Sequence, residues 1–381
     1  MKVSFHRLSW RSHALALTLA ASLVPAVSAA ENSCKAPNAY VQRNLVADRP
    51  GFAEHVDPNL VNGVGVSFNL VGNVWVSANG TGTSTLYDGD GVPEELVVAI
   101  PTAPGGTGTG SPTGVVFSVS GDFVVTSAGR SGPSRFIFAT EDGTLSGWAP
   151  GVDLTHAILT VDNSSRGAVY KGLALAGNGT GFHLYATDFR NGRIDVFDGT
   201  FKPVTLAGSF SDPTLPAGFA PFGIQNVNGN IYVTYAKQNA TRDEAVTGKG
   251  LGYVNIFDTN GRLIRRLASR SKLNAPWGLA LAPASFGKFG GKLLVGNFGD
   301  GIINVYDPLN GHCEGRLERP DGTTVKIDGL WGLSFGNGVL NQPTETLFFA
   351  AGPEKETHGL YGRLDATPAT CHGLAPEPES N

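Results

Sequence analysis

The chain has 381 residues, among them 52 Gly and 23 Pro, a fifth of the total against an ordinary share of about 12%. That content works against long helices, since interior Gly and Pro cost about 1 and 3 kcal/mol relative to Ala, while 41% hydrophobic residues suffice for a core and exclude global disorder. Charged residues make up only 16%, and a net charge of −4 gives no electrostatic case for nucleic-acid binding.

At the N-terminus Lys2, Arg7 and Arg11 precede an apolar run over 14–27, and the small residues Ser28, Ala29 and Ala30 follow. This order reads as a signal peptide over 1–30, which would make the mature protein secreted or periplasmic. No later apolar run reaches the ~18 residues of a membrane span, so a soluble mature protein is expected. An isolated strand, YVQRNLV at 40–46, comes next. Beyond it a Gly followed by an apolar residue recurs at Gly65, Gly114, Gly172, Gly223, Gly278 and Gly332, with intervals of 49 to 58 residues. After most of these come an alternating strand, a polar Gly-rich turn and a second strand ending in an aromatic residue plus Asp. VWVSANGTGTSTLYD (74–88), LYATDFRNGRIDVFD (184–198) and LLVGNFGDGIINVYD (293–307) are the clearest copies. Period-two alternation bounded by Gly, Asn and Asp predicts antiparallel strands. Further strands fit the remaining space, such as LALAG (173–177) before a pair and RLIRRL (262–267) after one. Six units of four strands predict an all-β fold, a six-bladed β-propeller.

The sixth unit supplies LWGLSF (330–335), TLFFAA (346–351) and GLYGRL (359–364) but lacks an outer strand. The strand at 40–46 is expected to complete it, antiparallel to 359–364, which closes the ring and removes an exposed sheet edge. The propeller then spans 31–364, and 365–381 form a Pro-containing tail. Closure favours a Cys34–Cys371 disulfide, a bond typically worth about 2–4 kcal/mol. Cys313–Cys371 is the alternative pairing. A monomer is expected.

In LYATDFRNGRIDVFD the residues Tyr185, Asp188, Asn191, Arg193, Phe197 and Asp198 resemble the strand pair of the NHL repeat. Over about 40–364 the segments NLVADRPG, DPNLVNG, ANGTGTSTLYDGDG, ATEDGTLSGW, FAPFGIQN, NAPWGLALAP and DGLWGLSFGNG resemble a family of secreted bacterial six-bladed propeller proteins. The resemblance implies a fold and a compartment and supplies no reaction.

In a propeller, the loops from second to third strand and from one blade to the next share a face around the central channel. The inter-blade loops place Asn62, Thr113, Lys171, Phe222, Trp277 and Trp331 there. The second-to-third-strand loops are expected to add Asn79, Arg130, Asp188, Lys237, Gln238, Asn297, Asp300, Glu354 and His358. This convergence makes the channel mouth the expected ligand site, with Lys171, Phe222, Lys237, Trp277, Trp331, Glu354 and His358 as ligand-binding candidates. Asn62, Asn79, Asp188 and Asn297 form a candidate set for a calcium-type divalent cation, which wants several oxygen ligands. The set is similar to that of gluconolactonase- and regucalcin-like propellers. The competing reading has Asp188 accept N–H bonds within its own turn or pair with Arg193, and has Asn79 and Asn297 serve as turn residues. Phe222, Trp277 and Trp331 suit an aromatic platform for a sugar, or else packing between blades. The insert at 236–252 reads as a lid or mobile loop. No G-x-S-x-G, H-E-x-x-H, C-x-x-C or Walker A motif occurs. The leading expectation is a binding module for a small molecule, glycan or extracellular protein. A metal-dependent lactonase- or esterase-like hydrolase is the alternative.

Overall fold

The computed structural model describes Met1 and residues 36–368. The expected leader and its cleavage site, and the expected Cys34–Cys371 disulfide, lie outside the described residues. Within them Cys313 is unpaired, and no helix is long and apolar enough to cross a membrane.

Six antiparallel sheets follow one another along the chain. Their innermost strands are Gly63–Phe68, Pro112–Phe117, Tyr170–Gly177, Phe219–Val227, Pro276–Leu281 and Leu330–Phe335. Each packs against the next, and the sixth packs against the first. This is the six-bladed β-propeller expected from the repeat. The repeat glycines explain why the ring closes so tightly. A Cβ built on Gly65 would stand 2.4 Å from the carbonyl oxygen of Thr113, and the same atom on Gly223, Gly278 and Gly332 would stand 2.0, 2.6 and 2.5 Å from those of Trp277, Trp331 and Val64. Each repeat Gly therefore marks the place where one blade's backbone lies against its neighbour's, which no side chain permits.

The ring is completed by Tyr40–Ala47, which pairs antiparallel with Leu360–Ala366 from Tyr40↔Ala366 to Ala47↔Leu360. Tyr40, Leu45 and Val46 are buried by this pairing. The N–H of Thr367 donates to the carbonyl of Ala39 at 2.9 Å, so the two ends of the described chain run side by side.

Four blades depart from the expected plan of four antiparallel strands: blades four and six each gain a two-residue strand, Ala245–Val246 and, parallel to Tyr40–Ala47, His55–Val56, and blades two and three depart further. Blade two carries an inserted hairpin, Val124–Ser127 with Arg130–Pro133, between its first strand and its second, Phe136–Thr140. Arg130 thus lies in a first-to-second-strand connection, away from the channel mouth. The true second-to-third-strand turn of this blade is Glu141-Asp142-Gly143, leading into Thr144–Trp148. Blade three has only three strands, ending with Arg193–Phe197. Where an outer strand is expected, the N–H of Val204 reaches the carbonyl of Val196 at 2.9 Å, and pairing stops there. Pro203 sits beside that contact and has no N–H to continue a ladder.

Candidate functional site

At the upper end of every inner strand the pairing register slips, between Gly63 and Val66, Tyr170 and Gly172, Pro221 and Ile224, Pro276 and Gly278, and Leu330 and Leu333. Blade two slips at the equivalent place, opposite Pro112–Val115. Such bulges re-aim a side chain out of the pleat. They turn the residue before each repeat Gly toward the axis: Val64, Thr113, Lys171, Phe222, Trp277 and Trp331.

Around the axis these residues build an aromatic plug. Trp331 is its hub, stacked on Phe298 at 4.1 Å and edge-on to Trp277 at 5.8 Å, with Phe222 at 5.6 Å. Phe189 backs Phe222 at 5.1 Å. Phe222 and Trp331 are buried and Trp277 is half-buried, so the three fill the channel and do not form an open platform for a sugar. The indole N–H of Trp277 crosses the channel to the carbonyl of Lys171 at 3.1 Å. That of Trp331 donates to Asn62 Oδ1 at 3.1 Å.

Beside the plug lies a charged cluster drawn from five blades. Lys171, only 1% exposed, donates its ammonium to Glu141 of blade two and to Glu244 of the blade-four insert, the latter at 3.0 Å. Asn79 Nδ2 donates to Glu141 Oε2 at 3.3 Å. Asn62 Nδ2 donates to Asn79 Oδ1 at 3.3 Å and to Glu356 Oε2 at 2.9 Å. One chain of hydrogen bonds therefore runs from Trp331 through Asn62 and Asn79 to Glu141, Lys171 and Glu244.

The elements that deliver these groups are strained. Glu354, Lys355 and Glu356 take consecutive left-handed conformations with φ of 55°, 58° and 68°, and Asn62 has φ 49°. Such a conformation costs a non-Gly residue roughly 1–2 kcal/mol, and it persists where surrounding contacts over-determine it. Here Glu354 is tied down by Arg49 and by its own N–H to Asp328 Oδ2 at 2.9 Å, which leaves Glu356 to face the channel.

The electrostatics follow from burial. Desolvation is the largest influence on Lys171 and lowers its pKa, but the charges and hydrogen bonds of Glu141 and Glu244 together outweigh it and hold the ammonium above its ordinary value. Desolvation also raises Glu244 and Glu356. For Glu356 the negative charge of Glu244 adds to the rise and Lys171 offsets part of it; for Glu244, Lys171 opposes the rise and Glu141 adds to it. Half of the Glu244 side chain, 52%, remains exposed, so water shares in holding its charge.

The structure thus brings together Lys171, Phe222, Trp277, Trp331, Asn62 and Asn79. It does not bring Asp188 and Asn297 to the same point. Asp188 accepts the N–H groups of Val169 and Asn191, both at 3.2 Å, takes Asn191 Nδ2 at 2.7 Å and pairs with Arg193 at 3.4 Å. Asn297 takes the N–H of Asn274 at 3.1 Å and donates to the carbonyl of Lys272 at 2.8 Å and to Asp300 at 3.1 Å. Both are turn staples in their own blades. Among the described residues no three His, Cys, Asp or Glu side chains converge to hold a metal ion; of the four-residue cation set, Asn62 and Asn79 are bonded to each other while Asp188 and Asn297 are engaged within their own turns. Lys237 stands apart, donating to the carbonyl of Ala217 at 3.2 Å over the ring of Phe219. Glu354 and His358 belong to the rim, where His358 Nδ1 meets Asp48 at 2.7 Å.

Glu141, Glu244 and Glu356 are the site residues that sequence reading missed. Glu141 was hidden by the inserted hairpin, and Glu244 by its place in a long insert. Glu356 stands two residues from each of the candidates Glu354 and His358, and only the left-handed turn decides between them.

No protein-family model matches the chain. Among solved structures it is similar to a streptogramin B lyase (TM-score 0.51, 13% identity, covering 86% of this chain and 97% of that one). It is also similar to a gluconolactonase from Xanthomonas campestris (0.50, 15%, 81% and 87%) and a glucose dehydrogenase (0.52, 12%, 86% and 100%). At such identities the shared property is the propeller fold. Two uncharacterised proteins of Acanthamoeba polyphaga mimivirus are far nearer in sequence. One is 34% identical over 328 residues, 84% of this chain and 78% of its own length, and the other 33% identical over 84% of each. These relatives are viral, where the resemblance read from the sequence pointed to bacterial proteins. The chain belongs to the same protein family as these two mimiviral proteins.

Proposed function

We propose that the protein is a secreted or periplasmic binding module that captures at its channel mouth a small molecule carrying a protonated amine. The observation that carries this reading is the charged cluster, in which Glu141 and Glu244 share one buried ammonium and Glu356 is joined to them through Asn62 and Asn79 without a cation of its own. With Lys171 divided between Glu141 and Glu244, the nearest positive charge is insufficient, and Glu244 and Glu356 hold their protons more tightly than usual. A second cation would relieve that excess of negative charge. The half-buried Trp277 supplies a ring face that favours cations. The hydrolase alternative is less well supported, because it needs Asp188 and Asn297 at a common ion and both are committed to their own turns.

The test is calorimetric titration of the folded chain with spermidine, glucosamine, glucose and calcium chloride. Amine binding that glucose does not reproduce, weakened about tenfold by Glu356→Gln, supports the reading; that factor corresponds to about 1.4 kcal/mol. Equal binding of glucosamine and glucose would sink it. Calcium binding abolished by the same substitution would turn the reading toward a metal-dependent role.

A further inference from the structure

The opposite face holds a second cleft, between blades one and two, built from first-to-second and third-to-fourth strand connections. It encloses about 530 Å³, within the range of small-molecule sites. Its base is a packed aromatic layer, with Trp75, Phe136 and Trp148 buried and Phe117 half-buried: Trp75 stacks on Phe136 at 4.1 Å, Trp148 tilts onto Trp75 at 4.6 Å, and Phe117 lies 5.2 Å from Phe136. The rim is preformed. Asn69 Oδ1 accepts the N–H groups of Val71 and Gly72. Blade six clamps the same turn from outside, with Asn337 Nδ2 donating to the carbonyls of Asn69 and Gly72 at 2.9 Å each.

This clamped rim offers apolar side chains to water: Val71 is 81% exposed and Leu340 49%. Exposed apolar surface beside an aromatic cleft marks an interaction site more often than an isolated exposed valine does. The polar groups of the cleft are unequal. Glu94 is occupied by Asn73 Nδ2 at 2.5 Å. Arg135 also lines the cleft, and among the described residues its guanidinium has neither an ion-pair nor a hydrogen-bond partner. A guanidinium presented in this way favours a planar anionic group, which it can bind in bidentate fashion.

We infer that this cleft binds a small aromatic anion, with its ring system against the exposed Val71 and Leu340 and the half-buried Leu96 and Phe117, over the buried Trp75–Phe136–Trp148 layer, and its carboxylate or sulfonate on Arg135. The ligand is opposite in charge to the one expected at the channel mouth, and the two sites share no residue. Trp75 and Trp148 are two of the chain's five tryptophans, so the site reports on itself. The experiment titrates the full chain with anilinonaphthalenesulfonate and reads energy transfer from tryptophan to the bound dye. Saturable one-to-one transfer is expected, weakened about tenfold by Arg135→Gln and also by Val71→Asp, which puts a like charge at an exposed rim position where folding is not at risk. Circular dichroism melts of both variants should match the parent. The uncharged anilinonaphthalene should bind at least tenfold more weakly. Absence of saturable transfer with the folded chain, or transfer that both variants leave unchanged, overturns the inference.

Discussion

A lysine ammonium taken out of water loses several kcal/mol of hydration even after relaxation, and Lys171 recovers it from Glu141 and Glu244. The same arrangement leaves the carboxylates in excess, with consequences for pH. Glu244 and Glu356 bind their protons more tightly in the fold than in the unfolded chain. Their contribution to stability is therefore fullest below the ordinary carboxylate value of 4.5 and is lost as pH rises through the raised values. Glu356→Gln removes one of the titrating groups. In thermal melts from about pH 4 to pH 8 the parent midpoint should fall relative to that variant as pH rises, whereas parallel curves would contradict the shift. At this scale the sequence was legible in part. Lys171, Asn62, Asn79, Phe222, Trp277 and Trp331 were found because they stand beside the repeat Gly or in the following turn. Asp188 and Asn297 occupy the same register, but whether a buried carboxyl or amide serves a ligand or its own turn depends on nearby N–H groups that sequence spacing does not reveal.

The strand that opens each blade combines a bulge, which aims one side chain inward, with a Gly that lets the neighbouring backbone approach. The closeness of that approach varies around the ring and sets an order of sensitivity. A Cβ on Gly223 would lie 2.0 Å from the carbonyl of Trp277, whereas on Gly172 its nearest contact, the carbonyl of Phe222, is at 2.9 Å. Gly223→Ala should cost about 3 kcal/mol and Gly172→Ala about 1 kcal/mol, in line with the cost of overpacking. Denaturant unfolding of the two variants would test the order, and equal losses would mean that the ring breathes enough to absorb a methyl group. Elements were less legible where two strand-like patterns competed. Residues 124–133 alternate and turn like a blade hairpin, and they form one, but as an insertion, so the Glu141 turn was displaced in the reading. In blade three the expected outer strand fails at Pro203.

For the molecule as a whole, closure depends on a strand that precedes all six repeats. Removing residues 40–47 would expose the outer edge of Leu360–Ala366 and uncover the apolar surface against which Tyr40, Leu45 and Val46 are buried. An open β edge of this kind templates pairing with other chains. The shortened protein should self-associate, as read by light scattering after size-exclusion chromatography, and a monodisperse monomer with the parent melting temperature would refute this account. Strand periodicity, the fifty-residue repeat and the identity of the closing strand were all determined by the sequence, because alternation and glycine spacing are local consequences of backbone geometry. The partners of each charge were decided only by the tertiary structure. Lys171, Glu141, Glu244 and Glu356 are distant along the chain, and three connections of unequal length and one left-handed turn bring them to one axis.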